Sequence, residues 1–204
     1  MKLMPMSLEA WKLAAEVLSS GGLVVFPTDT VYGIACDPYN LEAIAKIYEA
    51  KHRPAQKALP LLLSGEHRVD MVAEGVPPAA RKLAVAFWPG ALTLVLRRRE
   101  TVPEALSGGD TIAVRVPNHD ELRAFIESYG GAVAATSANL SGQPDAVNAR
   151  QAAEYFRDTV DLIIDGGPSP GGVPSTVVNC VVDPPQVLRE GALSERQIRQ
   201  ALEA

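Results

Sequence analysis

Two stretches constrain the fold more than any others. "ALTLVLRRR" (91–99) is followed by "TIAVRVP" (111–117), and "STVVNCVVD" (175–183) by "QVLRE" (186–190), in each case with no helical pattern between. Strands that follow one another without a helical crossover pair antiparallel, because parallel neighbours need a connection of a dozen or more residues, usually a helix. Elsewhere helix and strand patterns alternate, which calls for parallel neighbours too. The expected architecture is an α/β fold whose twisted sheet mixes parallel and antiparallel pairs, with flanking helices.

Ser7 predicts a helix cap, because Leu8, Trp11, Ala15 and Leu18 recur every three or four positions after it and Gly21 and Gly22 end the run. Asn40 predicts a second helix from Leu41 to about Lys51, and further helices fit 78–87, 119–129, 148–157 and 194–203. Strands are expected at 22–26, 59–63, 91–98, 111–116, 132–137, 161–165, 175–182 and 186–190. At 204 residues and 47% hydrophobic content the chain can fill one sizeable core, so a single domain over 1–204 is expected.

The opening twenty residues carry Glu9, Lys12 and Glu16 through their apolar pattern, unlike a signal peptide, and no later segment approaches the ~20 apolar residues of a membrane span. A cytoplasmic protein without membrane contact is expected. Cys36 and Cys180 stand too far apart for a CxxC motif and are expected to be free, buried thiols. The net charge of -5 argues against a chain-wide field for nucleic acid, so any phosphate contact should be a site and not a surface.

Familiar nucleotide motifs are absent: there is neither a GxxxxGK[ST] loop nor a GxGxxG fingerprint. No HExxH, paired CxxC or EF-hand spacing occurs, and His52, His67 and His119 are widely separated, so no metal ligands are assigned. "GPSPG" (167–171) satisfies G-x-S-x-G, but the oxyanion hole of a nucleophile elbow needs the N–H of the residue after the serine, and Pro170 has none. "DGGPSPGGVPST" (165–176) reads instead as a flexible loop entering a strand at Ser175 and Thr176.

Polar clusters stand where the strands and helices end. "FPTDTVYG" (26–33) leaves an apolar run through hydroxyls, a carboxylate and a tyrosine, residues a simple reversal does not need. "KHRPAQK" (51–57) places Lys51 and Arg53 at a helix exit, where a solvated C-terminus would also favour cations. Arg115 shares a strand face with Ala113 and Pro117, and so must meet solvent or a buried anion. "VAATSANLSGQP" (133–144) ends a strand in Thr136, Ser137 and Asn139, suited either to local turns or to binding. "RRR" (97–99) marks the wet end of a strand.

Taken together, "FPTDTVYG", "KHRP", "FWPGALTLVL", "TIAVRVP", "TSANLSG", "STVV" and "LREGA" resemble, in order and spacing over roughly 8–195, the YrdC-type L-threonylcarbamoyladenylate synthases. The resemblance implies a YrdC/RibB-like fold with a concave basic cleft. It implies an enzyme that condenses L-threonine, bicarbonate or CO2, and ATP into threonylcarbamoyl-AMP and pyrophosphate, with Mg2+ carried on the phosphates. The product would feed the threonylcarbamoyladenosine modification of tRNA through separate transferases, with at most weak RNA contact by this chain.

Carried over by position, Lys51 and Arg53 match the KxR pair at the nucleotide phosphates and would be catalytic. Thr30, Arg115, the backbone of Ala135, and Ser175 match L-threonine contacts, with Arg115 on the carboxylate. Thr111, Ser137, Asn139 and Arg189 match nucleotide positions. The chain departs from the family's usual residues at Lys57, Ala58, Leu62 and Asp145. Two other readings are a carbamoyltransferase-type YrdC module, which would need zinc-finger cysteines, and a non-enzymatic RNA-binding module, which 5% aromatic content disfavours.

Overall fold

The computed structural model describes residues 1–54 and 57–203, so Ala55 and Gln56 of "KHRPAQK" lie outside the described residues. Ten strands form one sheet: β1 (Lys2–Pro5), β2 (Val24–Phe26), β3 (Gly33–Cys36), β4 (Leu61–Leu63), β5 (Leu92–Arg97), β6 (Thr111–Arg115), β7 (Ala132–Ser137), β8 (Leu162–Asp165), β9 (Thr176–Asn179) and β10 (Gln186–Arg189). Their spatial order is β1-β8-β2-β3-β7-β4-β6-β5-β9-β10. The two adjacent pairs foreseen from sequence, β5 with β6 and β9 with β10, are antiparallel, whereas β1–β8, β2–β8, β4–β6 and β5–β9 are parallel.

The helices are α1 (Leu8–Ser19), α2 (Leu41–Ala50), α3 (Val69–Val72), α4 (Pro78–Phe87), α5 (Asp120–Tyr129), α6 (Ala149–Phe156) and α7 (Glu195–Glu203). Side chains of Ser7, Asn40, His119 and Asn148 accept N–H groups of the first turns of α1, α2, α5 and α6, satisfying donors that a helix start leaves open. No described helix is long and apolar enough to cross a membrane. Cys36 and Cys180 are free and buried, and burial pushes both thiols up to about 12.

Strand alternation sorts the core into two layers. Val25, Ile34, Leu61, Leu63, Leu94, Ile112, Val114 and Ala134 pack with α2, α4, α6 and α7 on one face. Val24, Phe26, Ala35, Leu62, Val133 and Ala135 pack on the other face with Trp11 and Leu18 of α1 and Leu122 and Phe125 of α5. Each fully buried Val, Leu, Ile or Phe among them contributes roughly 1.5–3 kcal/mol. The second face is covered by α1 and α5, against α2, α4, α6 and α7 on the first. Thr93, Val95, Ala113, Arg115 and Val177 point to that face, and there a cleft opens.

Three elements were not expected. β3 is buried on both faces, with Ile34 and Cys36 in one layer and Ala35 in the other, so it has no polar alternation to reveal it. β1 pairs only at the sheet edge, and α3 is a single turn. Several strands are also shorter than expected; that expected over 175–182 ends at Asn179. Arg97 and Arg99 are exposed as expected of a wet strand end, but Arg98 turns back to the Gly109 carbonyl at 2.8 Å.

Candidate active site

The cleft encloses about 360 Å3, and its lining brings together the turn between β2 and β3, the ends of β7 and β10, and residues of β4, β5, β6 and β9. Thr30, Arg53, Arg115, Ala135, Ser137, Ser175 and Arg189 from the sequence expectation all line it. Lys51, Thr111 and Asn139 do not. None of the described lining residues is acidic.

After β2 the chain folds on its own hydroxyls. Thr28 Oγ1 accepts from the Thr30 N–H at 3.1 Å, donates to the Val31 carbonyl at 2.7 Å and lies 3.0 Å from Thr30 Oγ1. The turn leaves Thr30 buried beneath Arg115, whose Nη1 donates to Thr30 Oγ1 at 2.8 Å. Arg115 also donates through Nε to the Gly90 carbonyl at 2.9 Å and through Nη2 to Asp29 Oδ1 at 2.7 Å. Burial pulls the Arg115 pKa down and the Asp29 carboxylate opposes that pull. The buried anion demanded by a charged strand residue is thus supplied, in part, by the chain itself.

Lys51 departs from expectation. It is 1% exposed, and its ammonium donates to the Ser137 carbonyl at 2.5 Å, the Asn139 carbonyl at 2.5 Å and Asn139 Oδ1 at 3.0 Å. An ammonium has three N–H donors, so none is spare for a phosphate. Burial, then the Arg53 cation, pull its pKa down to about 7. Asn139 also accepts from Ser137 Oγ at 2.7 Å and donates to the Gln143 carbonyl at 2.6 Å. Lys51 and Asn139 therefore form a brace behind the cleft, holding the turn that presents Ser137. The solvated helix end considered for Lys51 is excluded by this burial, although the cation does follow the last residue of α2.

Arg53 reaches the cleft while Nη2 donates to the Ala58 carbonyl at 2.7 Å. Arg189 lines the cleft as well and donates to the Ser175 carbonyl at 2.8 Å. Thr111 opens β6 opposite Arg97, away from the cleft lining. Among the departures, Ala58 and Leu62 line the cleft, and Lys57 is exposed outside it.

Sequence reasoning assigned no role to Asp29 or Thr93. Thr93 Oγ1 lies 2.8 Å from Ser175 Oγ, both residues buried, so either hydroxyl can donate to the other. Its signal was a lone hydroxyl within the apolar run "ALTLVL". Tyr32 is fully buried, and its hydroxyl donates to the Gly167 carbonyl at 2.6 Å and accepts from the Gly166 N–H at 3.2 Å. The Gly172 N–H meets the Thr30 carbonyl at 2.8 Å, so the 166–172 loop is tied to the same turn.

The Sua5/YciO/YrdC family model, described as "Telomere recombination", matches residues 16–191. A threonylcarbamoyl-AMP synthase of Pyrococcus abyssi is 41% identical over 198 residues, 96% of this chain and 58% of that protein. One of Bacillus subtilis is 38% identical over 191 residues, 93% of this chain and 55% of that protein. The crystal structure of P. abyssi Sua5 complexed with L-threonine superposes with a TM-score of 0.91 at 40% identity, covering 98% of this chain and 59% of that one. The chain thus spans somewhat more than half the length of these relatives.

Proposed function

The chain belongs to the Sua5/YciO/YrdC family, and from that premise we propose that it condenses L-threonine, bicarbonate or CO2, and ATP into threonylcarbamoyl-AMP, releasing pyrophosphate. The observation that carries this reading is one cleft that gathers Arg53, Arg115 and Arg189 with the hydroxyls of Thr30, Ser137 and Ser175. Two anionic substrates need cations and directional donors brought to one place, and the lining offers both.

In this reading Arg115 takes the carboxylate of L-threonine, with Thr30, the Ala135 backbone and Ser175 around the rest of the amino acid. Arg53, Ser137 and Arg189 face the nucleotide, which enters as its Mg2+ complex. Lys51 and Asn139 act through the turn that carries Ser137, and Thr111 has no contact assigned. The neutral substrate amine adds to CO2 and gives up a proton to solvent, and the carbamate oxygen then attacks the α-phosphorus as the bond from that phosphorus to the pyrophosphate oxygen breaks. Arginines beside the departing pyrophosphate would stabilise charge that grows in the transition state, with alignment in place of a protein nucleophile. The product would pass in the cytoplasm to separate transferases that modify tRNA.

Pyrophosphate release tests the reading. The expected result is release from MgATP that requires both L-threonine and bicarbonate and is weaker with L-serine. ATP binding without release would overturn it in favour of a carbamoyl-transfer or RNA-binding role.

A further inference from the structure

We propose that Asp29 is a positioning residue for this reaction: its carboxylate fixes the direction of the Arg115 guanidinium and balances its charge, so that the cleft selects a carboxylate by hydrogen-bond geometry. The inference rests on the reading of Arg115 as the contact for the carboxylate of L-threonine.

A guanidinium has five N–H donors. Three are engaged within the protein, on the Gly90 carbonyl, Thr30 Oγ1 and Asp29 Oδ1. Two remain, one on each terminal nitrogen, which is the number that a bidentate carboxylate accepts. The partners come from two separate segments, so the fork cannot rotate without breaking a bond to one of them.

Only Asp29 among the three partners is charged. The side chains of Arg115 and Asp29 are 8% and 12% exposed, so little water screens the pair. A lone buried guanidinium would attract small anions of any shape. With Asp29 against it, the pair is neutral before substrate arrives, and what stays specific is the direction of the two free N–H bonds. Arg115 lines the cleft and Asp29 does not, so the carboxylate supports the guanidinium without occupying the substrate's place. The backbone of Asp29 is held as well: a Cβ on Gly171 would stand 2.6 Å from the Asp29 carbonyl oxygen, so the 166–172 loop packs directly on it.

Calorimetric titration of L-threonine into the full chain, and separately of acetate as a plain carboxylate probe, tests this with Asp29→Ala, Asp29→Asn and, for reference, Arg115→Lys. Asp29→Ala should weaken threonine binding about tenfold, the scale of one lost charge-assisted bond, and Asp29→Asn should recover most of that because its amide oxygen still accepts from Nη2. Asp29→Asn should also bind acetate several-fold more tightly than the wild type, since the cation is no longer balanced. Threonine affinity unchanged in Asp29→Ala, or lost equally in both Asp29 variants, would overturn the positioning role. If Asp29→Ala does not fold, acetate decides: an unchanged affinity in Asp29→Asn overturns the proposal. Wild-type threonine affinity in Arg115→Lys would overturn the underlying reading, and the role of Asp29 with it.

Discussion

Lys51 Nζ stands 2.5 Å from the main-chain oxygen of Asn139 and 3.0 Å from its side-chain oxygen, joining the exit of α2 to the turn after β7 across 88 positions of sequence. With the Ser137 carbonyl as third acceptor, this one ammonium organises the strand end that faces the cleft. Lys51→Met keeps the stem and removes the three donors. It should lower unfolding free energy by about 2 kcal/mol, and urea denaturation with an unchanged slope would register it as an earlier midpoint. An unmoved midpoint would mean that the brace is dispensable for the fold.

The same burial makes stability depend on pH. Lys51 is pulled from 10.5 to about 7 in the folded chain, so between those values the unfolded chain binds the extra proton. Stability therefore rises as pH climbs from about 7 toward 10.5; this increment is given up as pH falls back toward about 7, below which both states hold the proton and the dependence ends. Comparing urea midpoints at pH 7 and pH 9, wild type should gain on Lys51→Met; equal changes in both proteins would contradict the assignment.

In the proposed reaction Arg53 acts on the nucleotide, and its duties in the fold are peripheral: it donates to the carbonyls of Lys57 and Ala58. Arg53→Ala should reduce kcat for pyrophosphate release by about 100-fold, the usual effect of removing one donor from developing charge, while the melting temperature stays close to that of the wild type. Single-turnover kinetics at saturating MgATP would separate this from weaker binding. A retained rate would remove Arg53 from the chemistry.

Tyr32 ties the 166–172 loop to the turn after β2 through both lone pair and proton of its hydroxyl. Tyr32→Phe should cost about 1–2 kcal/mol locally and raise hydrogen exchange at Gly166 and its neighbours, with the amides of β7 unaffected. Faster exchange throughout the sheet would show that the hydroxyl supports the global fold instead.

Helix starts were legible in the sequence because a cap is a local device: Ser7 and Asn40 each bond an N–H three residues on. The antiparallel pairs were legible because two apolar runs lay side by side. β3 was not, since burial on both faces erases the alternation that marks a strand, and β1 was not, since its one neighbour lies at the other end of the chain. Arg115 announced itself as a charge inside an alternating strand. Its partner Asp29 stands 86 positions away, and no periodicity connects the two. The burial of Lys51 was hidden for the same reason: a cation after a helix is ordinarily wet, and the distant "SAN" turn folding over it takes the water away.

The strand order has a consequence for how the chain reaches its native state. Lys2 is registered with Leu162, and β2 also leans on β8, so the first strands of the sequence are completed by one of the last. Pairings this remote make folding slow relative to helical domains, because a long loop must close before any contact rewards it. On a ribosome adding roughly 5–20 residues per second, β1 waits on the order of ten seconds or more for its neighbour to emerge. Over that interval its edge is an unpaired strand with Leu3 and Met4 available, and this is the period in which a chaperone would have most to protect.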